Sequence, residues 1–285
     1  MRNIVLGSLF FVLLSSCGQE PQTVEELQKA GEIAFGEADY AEARKLLAKA
    51  VAQRPSDPHL LYLLGVSYQR DYLYDSAFTY LKRADILFPN DRETNLALYD
   101  IAKALKEWRS AIKAIQVLIK TGDPADQYDR ELAELNINNE NYPVAYYYFR
   151  KLLQKEPDSS SHYLTVANLA TELDSFEIAI NVVDSAIERF GSSDELLVNK
   201  GMYLTALKKY GDGEGIFRSL MAKDSTASAY KLNLANALAS QNNRTKKAEA
   251  YRLYLSIKDA FGPEFRIDSL LQALEEELDI KKSDK

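Results

Sequence analysis

The fold is decided by residues 58–91, which read PHLLYLLGVSYQRDYLYDSAFTYLKRADILFPND. Two apolar faces with helical spacing follow one another in this stretch. The first face consists of Leu61, Leu64, Gly65 and Tyr68, and the second of Ala77, Leu81 and Ala84. Pro89 ends the second helix, because it lacks a backbone N–H and clashes with the preceding turn. The stretch predicts a hairpin of two short helices, whose backbones approach closely where Gly65 and Ala77 leave no large side chain between them.

The same pattern returns every 34 residues along most of the chain. Successive copies begin, without insertions or deletions between them, at Val24, Pro58, Arg92, Asp126, Ser160, Asp194 and Ser228. Position 8 is small in six of the seven copies, while position 17 is aromatic and position 20 is Ala or Gly in the first six. Agreement of independent columns over this many copies indicates a structural repeat and not a chance match.

This period and these columns resemble the tetratricopeptide repeat. The resemblance covers Val24 to about Asp259 and implies an all-α fold, an α-solenoid (right-handed superhelix) of about seven helix hairpins over residues 24–261. It implies that small residues at positions 8 and 20 face each other within a hairpin. We expect the large residues at positions 17 and 24 to fill the space between neighbouring hairpins.

Residues 262–285 are expected to form a capping helix and a polar tail. One apolar stripe contains Ile267, Leu270, Leu271, Leu274 and Leu278. Such a stripe suits a helix that closes the open end of a stack of repeats. The alternative, a helix lying on a membrane surface, is disfavoured because the polar face carries the acidic residues 275–277.

Three departures from the repeat pattern predict local changes. Tyr99 replaces the small residue at position 8 of the third copy, so we expect its two helices to splay or pack differently. Gly211, Gly213 and Gly215 predict the softest point of the array, because each Gly in a helix interior costs about 0.5–1 kcal/mol relative to Ala. In the seventh copy Ala248 falls one place late, which predicts a one-residue insertion near Asn242–Arg244.

Residues 1–16 resemble the export signal of a bacterial lipoprotein. Arg2 supplies the positive charge, and the apolar run from Ile4 to Leu14 is too short to span a bilayer. The run ends at Leu14-Ser15-Ser16-Cys17, which resembles the lipobox whose Cys thiol receives a diacylglyceryl group before cleavage. Residues 17–23 would then be the lipidated Cys17 and a short tether to the membrane.

The alternative is a cysteine that merely lies near a signal peptide. Against it, Cys17 is the only cysteine and directly follows the apolar run and two small residues. The next residue, Gly18, favours the outer membrane, because the aspartate that retains some bacterial lipoproteins in the inner membrane is absent from that position. The sequence does not distinguish a periplasmic from a surface location.

The composition argues against several classes of function. The net charge of −7 opposes nucleic-acid binding, which requires a basic face. His59 and His162 lie three repeats apart and no second cysteine exists, so no zinc site is indicated. Phosphate-binding loops, nucleophile elbows and zinc-protease motifs are missing from the sequence. We therefore expect neither an enzyme nor a bound cofactor.

The expected binding surface is a groove, because in this family the first helices of successive repeats line one. The candidates at positions 5 and 9 are Tyr62, Val66, Leu96, Arg130, Leu164, Asn168, Val198, Met202 and Asn236. The apolar members are expected to anchor an apolar peptide or helix, and Arg130, Asn168 and Asn236 to hydrogen-bond its backbone. The alternative for each of them is burial in the core between repeats.

Two further features bear on the partner. The family's carboxylate-binding subtype needs Lys and Asn where this chain has Gln28 and Glu32, so an acidic peptide tail is not the expected ligand. Tyr147 and Tyr148 are candidates for a contact on the opposite, convex face. Tyrosine is common at interfaces, but scattered exposed tyrosines are also normal.

The sequence thus predicts a membrane-anchored scaffold of the bacterial cell envelope that binds a protein or peptide. The alternative is a surface lipoprotein that captures a glycan or other small nutrient. Proteins of that kind need long insertions to build a pocket, and the uninterrupted 34-residue frame leaves no room for them. The identity of the partner is not encoded in any motif that we found.

Overall fold

The computed structural model describes residues 23–280, which form fifteen α-helices and short 3-10 turns, with no strand in this range. Cys17 and the predicted export signal lie outside the described residues. In chain order the helices are α1 (Val24–Gly36), α2 (Tyr40–Gln53), α3 (Pro58–Arg70), α4 (Tyr74–Leu87), α5 (Arg92–Ala104), α6 (Trp108–Lys120), α7 (Asp129–Asn138), α8 (Tyr142–Lys155), α9 (Ser160–Glu172), α10 (Phe176–Phe190), α11 (Asp194–Ala206), α12 (Tyr210–Lys223), α13 (Ser228–Ala239), α14 (Arg244–Ile257) and α15 (Ile267–Leu278).

The chain forms two compact units, divided in the sequence between Asp123 and Pro124. In the first unit, the hairpins α1–α2, α3–α4 and α5–α6 stack through contacts of α2 with α3 and of α4 with α5. In the second unit, the hairpins α7–α8, α9–α10, α11–α12 and α13–α14 stack in the same way, and α15 packs on α14. The predicted all-α fold is confirmed, with three stacked helix hairpins in the first unit and four in the second, where α15 is the terminal capping helix.

Side-chain caps begin several of the first helices. The Thr23 hydroxyl accepts a hydrogen bond from the Glu26 N–H (3.2 Å), and Glu26 in turn accepts one from the Thr23 N–H (3.1 Å). Asp91 caps α5 through the Thr94 N–H (2.9 Å), and Ser193 caps α11. Each such cap stabilises its helix by about 1 kcal/mol, because it satisfies a backbone donor that has no partner within the helix.

The turn within each of the first six hairpins contains one residue in the left-handed conformation. These residues are Ala38, Tyr72, Lys106, Glu140, Asp174 and Lys208, with φ between 53° and 62°. The N–H of the following residue donates to the carbonyl oxygen five positions earlier, for example Asp39 N–H to Ala34 O (2.9 Å). This pattern closes the first helix and reverses the chain, and it places a side chain where glycine is the least strained residue.

Within a hairpin, the small residue at position 8 lies against the large residue at position 24. A Cβ atom added to Gly65 would lie 2.7 Å from Leu81 Cγ, and one added to Gly201 would lie 2.6 Å from Phe217 Cζ. Position 24 therefore fills space inside its own hairpin, whereas the sequence predicted that it fills the space between neighbouring hairpins. Positions 8 and 20 also approach closely, since a Cβ atom on Gly213 would lie 2.9 Å from Gly201 O.

The third and fourth repeats depart from this packing. Tyr99 is only half-buried, its ring lies 5.0 Å from Lys103 Nζ, and the fully buried small residue of α5 is Ala102. The fourth repeat begins with a 3-10 turn, and α7 starts only at Asp129. Asp129 is buried, and its carboxylate accepts hydrogen bonds of 2.7 Å from both Lys151 and Lys155. These ammonium groups compensate a charge that would otherwise be costly to bury.

In the seventh hairpin, the second helix begins at the same repeat position as in the other hairpins, but a different face of that helix is buried. Helix α14 begins at Arg244 in the regular frame, so the one-residue insertion expected near this point does not occur. Instead, the buried residues of α14 are Ala250, Tyr254 and Ile257, three positions later than in the other second helices. The capping helix α15 buries Ile267, Leu271, Leu274 and Leu278 in the same core cluster.

Glu214 joins the sixth hairpin to the seventh. Its carboxylate accepts hydrogen bonds from Arg218 (3.0 Å), Gln241 (2.9 Å) and Lys246 (2.6 Å). Burial alone would raise the pKa of Glu214, but these three donors outweigh it and hold the pKa at about 2. The second unit therefore contains an ion-pair network beside the three glycines of α12.

Candidate protein-binding surface

The first helices of the first unit form one continuous surface, because α3 contacts both α1 and α5. Tyr62 and Val66 lie one turn apart on α3, and both are half-buried against the core clusters of this unit. Leu96 on α5 is 38% exposed. The sequence allowed these residues to line a groove or to lie in the core between repeats. Both hold, because their side chains contribute to the core and also present apolar area to solvent.

A pocket of about 400 Å³ lies beside Tyr62 in the first unit. Its walls are the start of α3, the residue after α4 and the start of α5, namely Pro58, His59, Tyr62, Phe88, Asp91, Glu93 and Thr94. The rings of His59 and Tyr62 are stacked, with centroids 6.3 Å apart. This volume falls within the usual range of ligand pockets, roughly 300–1,000 Å³.

Carboxylates surround the mouth of this pocket. Burial raises the pKa of Tyr62, and the carboxylates of Glu93 and Asp91 raise it further. Glu32 on α1 lies 3.9 Å from His59 Nε2. The electrostatic potential at the pocket is therefore negative, and three rings, those of His59, Tyr62 and Phe88, form part of its lining.

Phe88 was missed by the sequence reasoning, although it is 57% exposed and lines the pocket. It ends the apolar run Ile86-Leu87-Phe88, of which all three members are exposed. Three consecutive residues on a helix point in three directions, so they cannot all face one core. This run at the end of α4 was the available signal for a surface contact.

A buried polar cluster holds the pocket walls together. The Asn95 amide donates to Asp85 Oδ1 on α4 (3.3 Å) and to the Asp91 carbonyl oxygen (2.9 Å). Asp85 Oδ2 also accepts a hydrogen bond from Lys113 Nζ on α6 (2.6 Å). Because Asn95 and Asp85 are buried, the end of α4 and the start of α5 are joined rigidly.

The candidates in the second unit are arranged differently. Helices α11 and α13 contact each other directly. Met202 on α11 is 46% exposed, while Leu164 and Val198 are half-buried. The amide oxygens of Asn168 and Asn236 each accept a 2.6 Å hydrogen bond, from the hydroxyls of Tyr203 and Tyr254. These bonds fix the orientation of both amides.

Arg130 already has partners within the chain. Its guanidinium donates to Glu156 Oε2 (2.9 Å) and lies 3.3 Å from His162 Nε2. Its predicted hydrogen bond to a partner's backbone would have to compete with this ion pair. The assignment of all nine groove residues to partner binding stays a prediction.

The two tyrosines predicted on the opposite face lie on α8. Tyr147 is 62% exposed, whereas Tyr148 is half-buried against the core of the second unit. Their rings meet edge to face, with centroids 5.1 Å apart. Tyr147 is therefore the member of the pair that a partner could reach.

A second pocket, of about 660 Å³, lies among α10, α11 and α12. The ion pair between Lys200 Nζ and Asp184 Oδ1 (2.5 Å) crosses it, and Gly211 and Gly215 form part of its wall. Lys200 occupies position 7, where the other repeats carry an aliphatic residue. The sequence predicted only that these glycines lower the stability of the array at α12. In the structure, Gly211 and Gly215 also line a pocket.

Residues 23–280 contain no cluster of three or more His, Cys, Asp or Glu side chains arranged to hold a metal ion. In the same range, every helix is too short or too polar to cross a bilayer.

A family model described as "Tetratricopeptide repeat" matches residues 29–92, which include most of hairpins α1–α2 and α3–α4. The chain contains tetratricopeptide repeats. A comparison with curated proteins finds no match.

The fold of the chain is also similar to solved structures. It resembles a chain in the structure of Naa15/Naa10 bound to HypK-THB, with 15% identity and a TM-score of 0.57, over 90% of this chain and 39% of that one. It is also similar to a tetratricopeptide repeat protein from Parabacteroides merdae ATCC 43184, with 15% identity and a TM-score of 0.44, over 88% of this chain and 98% of that one. YrrB, a tetratricopeptide repeat protein with an unusual peptide-binding site, is 9% identical with a TM-score of 0.43, over 65% of this chain and 95% of that one.

The chain spans about two fifths of the length of the Naa15/Naa10 relative, and at this identity the likeness concerns the fold alone. Tetratricopeptide repeats stack hairpins into extended surfaces that serve as scaffolds for protein interaction. The exposed side chains of Leu96 on α5 and Met202 on α11, and the half-buried Tyr62 on α3, lie on the first helices of their repeats.

Proposed function

We propose that this tetratricopeptide repeat protein is a lipid-anchored scaffold of the bacterial cell envelope that binds a protein or peptide along its first helices. The observation that carries the proposal is the exposed apolar area on those helices, above all Leu96 and Met202, next to half-buried Tyr62 and Val198. Apolar residues that are rigidly packed on one side and exposed on the other are suited to anchor a partner.

Site-specific photo-crosslinking in living cells tests the binding surface. A photoreactive amino acid replaces Leu96 or Met202 on the first helices, and matched controls place it at the exposed residues Gln116 and Glu188 on second helices. We expect the same protein partner to be captured from both first-helix positions and from neither control. Equal capture from all four positions, or a copurified sugar without any protein partner, would contradict the proposed scaffold.

The anchor is proposed from the sequence around Cys17. An acylated cysteine would hold the repeats at a membrane, because several acyl chains bind a bilayer far more firmly than one. Metabolic labelling with radioactive palmitate should label the protein, and Cys17→Ser should abolish both the label and its recovery with outer membranes on a density gradient. Persistent labelling of Cys17→Ser would refute the assignment, and recovery of the unchanged protein with inner membranes would refute the outer-membrane location.

A further inference from the structure

We propose that the pocket beside Tyr62 receives the side chain of a lysine or arginine from the bound partner. This inference rests on the proposed function and adds to it the chemistry of the residue that the first unit selects. It concerns one pocket within that unit, formed by α3, α5 and the residue that follows α4.

The residues that line the pocket are suited to bind a cation. Three of these residues, His59, Tyr62 and Phe88, carry aromatic rings. The face of a phenol or benzene ring attracts an ammonium or guanidinium group when the charge lies within about 6 Å of the ring centroid. Tyr62 and Phe88 therefore offer favourable surfaces to the stem and the charged head of a long basic side chain.

The charges at the pocket also favour a cation. Glu93 and Asp91 line it, and Glu32 lies beside His59. Arg92 donates from both Nε and Nη2 to Asp123 (3.1 and 3.2 Å), and its Nη1 is 3.8 Å from Glu93. Arg70 also acts on the Tyr62 hydroxyl, but the carboxylates of Glu93 and Asp91 each act on it more strongly. Negative charge therefore predominates beside Tyr62, and an incoming positive charge would be attracted to it.

An apolar occupant suits the pocket less well. It would remove water from the carboxylates of Asp91 and Glu93 without supplying a hydrogen-bond donor, and that desolvation is unfavourable. A neutral sugar could stack on the rings, but it would leave the excess negative charge unbalanced. A basic side chain alone satisfies both the rings and the carboxylates.

The pocket is also preorganised, and exposed apolar residues precede Phe88 in the sequence. The buried hydrogen bonds of Asn95 hold the start of α5 against α4, so little order has to be gained on binding. Ile86 and Leu87, which immediately precede Phe88, are 70% and 44% exposed. We therefore expect the basic residue of the partner to be flanked by apolar residues, which would contact the side chain of Leu87 or Ile86.

A matched pair of peptides tests the proposal with the full mature chain. The probe is a blocked nonapeptide with a central arginine flanked by alanine and leucine, and its control replaces that arginine with citrulline, which keeps the shape but has no charge. NMR titration gives the dissociation constants and identifies the resonances that shift. We expect the arginine peptide to bind about tenfold more tightly than the citrulline peptide and to shift resonances of residues 58–62 and 88–94.

Variants of the chain make the test specific to the pocket. Glu93→Gln and Phe88→Leu should each lower the affinity for the arginine peptide several-fold, and by no more than about tenfold. Neither substitution should change the affinity for the citrulline peptide. Glu37→Gln removes the same charge from an exposed site on the first unit and should leave both affinities unchanged. Circular dichroism and melting curves establish that each variant remains folded.

Several outcomes would overturn the proposal. The proposal would be wrong if the two peptides bound with equal affinity, or if Glu93→Gln and Glu37→Gln had equal effects. It would also be wrong if the resonance shifts were confined to residues outside the pocket. Binding of maltotriose at the same resonances without binding of the arginine peptide would assign the pocket to a sugar instead. If Leu96 crosslinks a partner whose capture is unchanged by Glu93→Gln, this inference fails and the scaffold stands; if no partner is captured at all, the proposed function itself fails.

Discussion

Two glycines of α12, only two residues apart, should respond in opposite directions to the same substitution. Gly215 lies inside the helix, and a Cβ atom added there would have no other atom within 4 Å. Gly215→Ala should therefore stabilise the protein by about 0.5–1 kcal/mol, because alanine loses less backbone entropy than glycine when a helix forms.

Gly213→Ala should destabilise the protein. The new Cβ atom would lie 2.5 Å from Thr205 Oγ1 and 2.9 Å from Gly201 O, and the Thr205 hydroxyl is itself held by a 2.8 Å hydrogen bond to that same carbonyl oxygen. Overpacking of this kind costs about 1–3 kcal/mol, from which the helix-propensity gain of about 0.5–1 kcal/mol is subtracted. The expected net loss is about 0.5–2 kcal/mol.

Repeat arrays do not always unfold in one step, so the assay must report on α12 itself. Native-state hydrogen exchange measures the opening free energy of the α12 amides, and urea unfolding followed by circular dichroism measures the stability of the whole chain. Gly215→Ala should slow exchange along α12, and Gly213→Ala should accelerate it. The reasoning would be refuted if both variants were stabilised equally, since that would mean that α11 and α12 are not in close contact at Gly201.

Three further predictions use the same measurements of unfolding free energy. Ala179→Leu should cost about 1–3 kcal/mol because Ala179 is completely buried, whereas Ala206→Leu at an exposed site of the same unit should be nearly neutral; similar melting temperatures would disprove the assigned register. Lys106→Gly should stabilise by about 1 kcal/mol, because Lys106 has a φ of 60° and glycine adopts this conformation without strain; a loss of stability would contradict the turn geometry. Glu214→Gln should cost about 1–3 kcal/mol at pH 7, since it weakens charged hydrogen bonds that hold the pKa of Glu214 at about 2 against the effect of burial. A depressed pKa in the folded state contributes stability above the ordinary value of 4.5 that is lost as the pH falls toward 2, so the difference between Glu214→Gln and the unchanged protein should shrink over that range, and a constant difference would refute the assignment.

The candidate binding surface was only partly predictable from the sequence. Tyr62 and Leu96 could be identified because both occupy position 5 of the repeat, which is expected to line the groove formed by the first helices. The only signal for Phe88 was that it ends the apolar run 86–88, and Glu93, in the first turn of α5, had none. Neither position belongs to the apolar pattern of the repeat. Whether such residues share a pocket depends on the angle and distance between helices, which a one-dimensional pattern does not specify.

The amino-acid sequence by itself determined the pairs of helices and their order along the chain. Helix formation, capping and turn formation depend on residues within a few positions of one another. Each 34-residue copy therefore specifies its own pair of helices, and caps such as those at Thr23 and Asp91 mark where a helix begins. Only the tertiary structure decided that position 24 packs onto the small residue at position 8 of its own hairpin, and that the buried face of α14 lies three positions later than in the other second helices. The same holds for the ring-lined acidic pocket at Tyr62, because contacts between helices depend on side-chain volumes that must fit together in three dimensions.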